Sequence, residues 1–254
     1  MVIRNVVWPE GTPCWVDLAV DDVDKAVTFY SILFGWEPRY GGPEEGGYVT
    51  CTLNDHVVAG IGPRTGTTLP PMWTTYLAAD DVDKAAERIV DAGGDLLLES
   101  VEVGDHGWMA IGVDPTGATF GVWEAAGRTG TEIVNEPGAL VWNEQVSHDI
   151  EGSKSFYEAV FGYTYDDIET GPYAMLKVSG IVCGGLGVHG PGAPALAPSH
   201  WRAYFEVADT DHTMQAVPEL GGRVLFPPTD TPYGRLASAA DDQGAMFFVI
   251  QGTR

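Results

Sequence analysis

The sequence predicts an α+β fold: two tandem domains assembled from four copies of one β-α-β-β-β unit. Two internal repeats predict it. The stretch Asp22-Val-Asp-Lys-Ala-Val-Thr-Phe29-Tyr30-Ser-Ile-Leu-Phe34-Gly35-Trp returns as Asp149-Ile-Glu-Gly-Ser-Lys-Ser-Phe156-Tyr157-Glu-Ala-Val-Phe161-Gly162-Tyr. Likewise, Asp114-Pro-Thr-Gly117-Ala-Thr-Phe120 returns as Asp241-Asp-Gln-Gly244-Ala-Met-Phe247. Phe29 to Phe156 and Phe120 to Phe247 are both separated by 127 residues, half of the 254-residue chain, which marks a duplication. Each half contains a second, weaker repeat: a strand-like run followed by an Asp-capped helix occurs twice.

The elements follow in order. Cys14-Trp-Val-Asp-Leu-Ala-Val20 alternates as a strand and leads into a helix capped by Asp22, whose carboxylate can accept from the free N–H groups of the first turn. Val23, Ala26, Val27, Tyr30 and Leu33 or Phe34 recur at helical spacing, and Gly35 can end the helix in a left-handed conformation. Strand-like runs follow at Tyr48 to Leu53 and Val57 to Ile61. Trp73-Thr-Thr-Tyr-Leu-Ala-Ala79 opens the second unit; its helix, from Asp81 through Val82, Ala85, Ala86, Ile89 and Val90, ends at Gly93-Gly94. Asp95 to Leu98 and Trp108 to Val113 then read as strands. In the second half the leading strands are Leu140 to Val146 and Trp201 to Val207, with further strands at Tyr173 to Val178, Ile181 to Leu186 and Arg223 to Phe226. The fourth helix ends at Gly221-Gly222 and contains Pro218, which predicts a short or kinked helix. Gly-Pro-rich segments at 62–71 and 187–199 read as connections between units. The domain boundaries are placed at 1–127 and 138–254, with 128–137 as linker.

Composition narrows the function classes. The formal charge is −23, from 13 Lys+Arg against 36 Asp+Glu, without a basic cluster, which disfavours nucleic acid and anionic membranes as partners. No run approaches the roughly 18 apolar residues of a membrane span, and no secretory leader is evident, so a cytoplasmic protein is expected, as monomer or homodimer. Cys14, Cys51 and Cys183 are too few and too dispersed for a disulfide framework or a zinc pattern.

The Asp-capped helix ending in Phe-Tyr-x3-Phe-Gly, the Gly-Gly after the second helix and the Asp-Pro-x-Gly turn before the last strand resemble the vicinal oxygen chelate superfamily. That group holds glyoxalases, bleomycin-resistance proteins and extradiol dioxygenases. The two-domain subgroup, often labelled as hydroxylases of secondary metabolism, is the nearest likeness. The resemblance implies curved mixed sheets that form cups, helices on the convex face and a ligand on the concave one. In the family's enzymes a metal sits on two leading strands and a last strand. Here those positions fall on Trp15, Thr74 and Gly121 in the first half and on Trp142, Arg202 and Phe248 in the second. Indole, phenyl and guanidinium are not metal ligands, so no metal or other cofactor is expected. His56, His106, His148, His189, His200 and His212 fall in turns or at element ends, without His-x-His or Glu-x-x-His spacing. A one-residue slip of register would turn Glu124 and Gln251 inward in place of Trp123 and Ile250, and Asp17, Glu124 and Glu144 would then form a displaced ligand set.

Strand alternation puts Trp15, Asp17, Thr74, Tyr76, Gly121 and Trp123 in the first cup, and Trp142, Glu144, Arg202, Tyr204, Phe248 and Ile250 in the second. Trp15, Thr74, Tyr76, Trp123, Trp142, Arg202, Tyr204 and Phe248 are the expected ligand-binding residues. Asp17 and Glu144, at equivalent places, are the candidate catalytic carboxyls. Two arrangements stand side by side: an open pocket in at least one domain, or cups filled by their own side chains with Glu144 paired to Arg202. Three functions fit: a binding protein for a small aromatic or polyketide-like molecule, a metal-independent hydroxylase or accessory enzyme, and a metal-dependent lyase or dioxygenase with displaced ligands.

Overall fold

A computed structural model describes residues 3–66, 68–169, 171–189 and 198–253. The first half runs β1 (Pro13–Val20), α1 (Val23–Phe34), β2 (Glu37–Tyr40), β3 (Val49–Leu53), β4 (His56–Pro63), β5 (Met72–Ala79), α2 (Val82–Asp91), β6 (Asp95–Val103), β7 (Gly107–Val113) and β8 (Thr119–Ala125). The second runs β9 (Leu140–Ser147), α3 (Ile150–Phe161), β10 (Thr164–Asp167), β11 (Tyr173–Val178), β12 (Ile181–Val188), β13 (His200–Glu206), α4 (Thr210–Glu219), β14 (Arg223–Thr231), β15 (Gly234–Ala240) and β16 (Met246–Gly252). Each half makes one 8-stranded mixed sheet, β2-β3-β4-β1-β5-β8-β7-β6 and β10-β11-β12-β9-β13-β16-β15-β14. Leading strands β1 and β5 pair antiparallel, as do β9 and β13, so units join within a half.

The helices form for the reasons the sequence offers. Asp22, Asp81, Asp149 and Asp209 each accept a backbone N–H of the first turn, and Gly35 and Gly162 close α1 and α3 in the left-handed region at φ 74 and 68. Pro218 lies in the last turn of α4, which at 10 residues equals α2 in length, so the helix is not shortened; the ring removes the N–H that would donate to the Met214 carbonyl. Three strands escape the pattern. Fully exposed β2 carries Pro38 on a sheet edge, where a missing N–H is harmless, and β10 is its polar counterpart. Small-residue β15 has no apolar alternation to betray it. Strands β6 and β14 run past Leu98 and Phe226 through register shifts, which let Pro227 and Pro228 into β14. Of the 187–199 connection, residues 190–197 lie outside the described residues.

Two apolar cores hold the molecule together, and both cross between halves. One joins Leu18, Phe29, Tyr30 and Phe34 to Phe205, Met214 and Phe247; the other joins Leu77, Ile89 and Phe120 to Phe156, Tyr157 and Trp201. The two repeated motifs meet here. Tyr30 of the first Phe-Tyr pair donates to Asp241 Oδ2 of the second-half turn at 3.1 Å and accepts from Trp73 Nε1 at 3.1 Å. Tyr157 donates to Asp114 Oδ2 at 3.0 Å and accepts from Trp201 Nε1 at 2.8 Å. The other oxygen of each Asp closes its own turn, Asp114 on Thr116 N and Ala118 N, Asp241 on Gln243 N and Ala245 N. The helix-bearing faces of the two sheets therefore meet, and each concave face is turned away from the other half.

Candidate ligand-binding site

On β1, Val16, Leu18 and Val20 enter the cross-half core, so alternation turns Trp15 and Asp17 to the concave face. Register places Trp15 opposite Tyr76, Asp17 opposite Thr74, and Tyr76 beside Gly121. A cavity of about 530 Å³ opens there, walled by Trp15, Tyr48, Tyr76, Met109 and Trp123, with Asp17 and Arg128 as its inward charged groups and the 101–106 hairpin at its rim. Thr74 shares the face but is buried beside Asp17 and lies outside the cavity lining.

Asp17 is held by two phenols. Tyr76 Oη donates to Oδ2 at 3.0 Å and Tyr48 Oη at 3.4 Å, while Trp15 Nε1 donates to Tyr48 Oη at 3.2 Å. Burial pushes the Asp17 carboxyl from 3.8 to about 7, and the two hydroxyls offset only part of that rise. Burial and the nearby Asp17 raise both phenols well above their ordinary value, so they act as donors. Tyr48 lies flat on a glycine track: a Cβ at Gly60 would sit 1.7 Å from its Oη, and one at Gly62 2.8 Å from its ring. Neither Tyr48 nor Arg128 was expected from the sequence.

The second half repeats the scaffold with a different filling. Tyr173 lies on Gly185 and Gly187, and Trp142 Nε1 donates to its Oη at 3.1 Å. Glu144 Oε1 pairs with Arg202 Nη1 at 3.2 Å, and Tyr204 Oη donates to Oε2 at 3.2 Å. Tyr204 packs on Phe248 with ring centroids 4.7 Å apart, and Arg202 lies 4.9 Å above the Phe248 ring. Burial raises the Glu144 carboxyl, and Arg202 opposes the rise. Every expected ligand-binding or catalytic group of this cup is thus engaged by another. Phe248 and Arg202 stand where the first half has Gly121 and Thr74, which accounts for the difference in filling.

The residues at the family's metal positions do not fit an ion. Trp15 and Trp142 offer N–H donors only, Gly121 and Phe248 offer nothing, and Arg202 is cationic. Nor does the structure gather the displaced set: Glu124 points to the helical side and accepts from Val82 N at 2.8 Å, while Asp17 and Glu144 sit in different halves. Gln251 does the same for Thr210 N at 3.4 Å, so the slipped register is not adopted. His148 contacts Ser199, and burial lowers His200 to about 4 beside Arg202. Among the described residues, no three His, Cys, Asp or Glu side chains are grouped to hold an ion.

Comparison with known proteins agrees with this architecture. The Glyoxalase/Bleomycin resistance protein/Dioxygenase superfamily matches residues 14–122 and 140–248. A Mycobacterium tuberculosis protein named "Putative glyoxylase CFP32" is 40% identical over 253 residues, covering 95% of both chains. The anthracycline biosynthesis protein DauV of Streptomyces sp. (strain C5) is 33% identical over 260 residues, covering 95% of this chain and 93% of its own. The structure of the Mn(II)-bound glyoxalase from Novosphingobium aromaticivorans superposes with a TM-score of 0.67 at 14% identity, over 95% of this chain and 83% of that one, a likeness of fold alone.

Proposed function

Because the chain belongs to the Glyoxalase/Bleomycin resistance protein/Dioxygenase superfamily, whose fold hosts many chemistries, we propose that it binds a small planar aromatic, polyketide-like molecule in the first cup. The observation that carries this is the cavity of about 530 Å³, which pairs aromatic walls with one carboxyl that no cation neutralises. Indole and phenol faces stack on a flat ring, each contact adding roughly 0.5–1.5 kcal/mol beyond buried area. Kinship with a protein named for anthracycline biosynthesis supports a ligand of the aromatic polyketide class and a role in secondary metabolism. Asp17, with its proton poised near neutrality, exchanges a proton with a ligand hydroxyl or enol; Tyr48 and Tyr76 orient it. The second cup, filled by its own ion pair and ring stack, is structural. No metal is needed for this role.

The test is a titration of tryptophan emission with 1,8-dihydroxyanthraquinone, because Trp15 and Trp123 line the wall. Saturable quenching that disappears in Gly121→Phe supports the reading: Tyr76 already fills the space of a Cβ at Gly121, so a phenyl drives it across the cavity. No quenching and no shift in Tm at saturation would refute it. Elemental analysis of the mildly purified protein checks the metal: close to one equivalent of a transition metal, lost together with binding on chelation, would restore the lyase or dioxygenase alternative.

A further inference from the structure

We infer that Arg128 makes the first cup selective for planar aromatics bearing a carboxylate, which its guanidinium grips; this rests on the proposal that the first cup is the binding site. Arg128 follows β8, where its N–H donates to His106 O at 3.0 Å and its carbonyl accepts from Trp123 Nε1 at 3.0 Å. The backbone is thereby tied to the aromatic wall, and the side chain enters the cavity. The guanidinium carbon lies 5.6 Å from the Trp15 ring centroid, and Nη2 donates to Thr50 Oγ1 at 2.9 Å.

Among the described residues its side chain acts on Trp15, Thr50 and the Tyr48 phenol, none of which is a carboxylate. In a chain with 36 Asp+Glu that is informative. Arg39, Arg64, Arg88, Arg202 and Arg235 each hold a carboxylate, whereas Arg4 holds backbone carbonyls and Arg223 is exposed. A guanidinium carries five N–H donors in a rigid fork, and here one is spent. The remaining donors match a carboxylate in bidentate geometry. The acidic residues around the mouth do not fill that role. Asp105 has a side chain 97% exposed, Glu102 is exposed, and Glu45 turns back to accept from its own loop at Gly42 N. The charges of Asp105 and Glu102 face water and are screened by salt. In the second cup the comparable cation, Arg202, is already neutralised by Glu144.

Two probes sharing one ring system test the inference: 2-naphthol and 3-hydroxy-2-naphthoate, each titrated against wild type and Arg128→Gln by tryptophan quenching. Wild type is expected to bind the naphthoate about tenfold or more tighter than the naphthol, the contribution of one charge-assisted pair. In Arg128→Gln that preference disappears, the loss of affinity for 3-hydroxy-2-naphthoate exceeding the loss for 2-naphthol by about tenfold or more. Equal affinities in wild type, or a parallel loss of both probes in the variant, would overturn the role of Arg128 and leave the cup standing. Failure of both probes to bind wild type would overturn the cup itself, and this inference with it.

Discussion

Replacing Asp17 by asparagine converts the buried carboxyl into a measurable dependence of stability on pH. The carboxyl lies at about 7 in the folded chain and near 3.8 when unfolded. Between those values the folded state keeps its proton and the unfolded state has lost it, so stability falls as pH rises. The penalty is absent below pH 3.8 and complete above about pH 7. Each unit corresponds to about 1.4 kcal/mol, which puts the full span at roughly 4 kcal/mol as an upper bound, because the carboxyl opens on the cavity. Over pH 5 to 8, where fewer other carboxylates titrate, roughly 2–3 kcal/mol of it is accessible. The amide introduced by Asp17→Asn retains an acceptor for Tyr76 and has no charge to desolvate. The variant should therefore gain on wild type as pH rises from 5 to 8, read as the difference in urea-unfolding free energy at each pH. A difference that stays flat across that range would show that Asp17 ionises as an ordinary surface carboxylate, and the proton-exchange role would fail with it.

Other perturbations follow from the same contacts. Arg202→Met strands Glu144 without its cation and should cost roughly 3–5 kcal/mol at pH 8 and less as pH falls, because burial raises the Glu144 carboxyl and protonation removes the stranded charge, as denaturant melts across pH will show. Gly60→Ala drives a methyl into Tyr48; it should cost about 1–3 kcal/mol and abolish ligand quenching, whereas Gly185→Ala, with the same clash against Tyr173, should leave quenching intact. Tyr30→Phe leaves both Trp73 Nε1 and Asp241 Oδ2 short of a partner and should cost about 1–3 kcal/mol in thermal unfolding. Tyr157→Phe should cost less, since Gln145 still donates to Asp114 Oδ2 at 3.2 Å.

Most of the fold was legible because its signals are local. A carboxylate before an apolar helical period and a glycine at its end need no knowledge of the partner half, and the constant offset of 127 residues needs only the sequence laid against itself. The inward direction of Trp15, Asp17, Tyr76 and Trp123 followed from alternation against a core-facing set. What joins the halves was not legible: Tyr30 with Asp241 and Tyr157 with Asp114 are long-range pairs, and each motif alone reads as a cap or a turn. Tyr48 was missed for a specific reason. Its counterpart is Tyr173, 125 residues away, because the first-half loop before β3 is two residues longer. The Gly60-x-Gly62 and Gly185-x-Gly187 tracks carry that same shorter offset and were the available signal. Arg128 sits in a connecting segment with no period, so nothing in the sequence aimed it at the cavity.

What sets the two cups apart is how each half treats its carboxyl. Glu144 and Arg202 face each other across β9 and β13, as Asp17 and Thr74 do across β1 and β5. Where the neighbour is Arg, desolvation of the carboxylate is offset locally and the guanidinium lies over the Phe248 ring. Where it is Thr, no cation opposes the rise of the carboxyl, and the cavity of about 530 Å³ opens beside it. The double variant Asp17→Glu with Thr74→Arg should therefore move the first cup toward the second. The fall of stability between pH 5 and 8 should flatten, because the new ion pair holds the carboxylate charged. Net stability at pH 8 should change by only a few kcal/mol in either direction, since a buried pair roughly breaks even against its own desolvation. Aromatic quenching should be lost, the guanidinium occupying the floor where a ring would lie. Full retention of ligand affinity in a variant that folds and has lost its pH slope would show that the raised carboxyl and the open space are unrelated, and that the cup's emptiness has another cause.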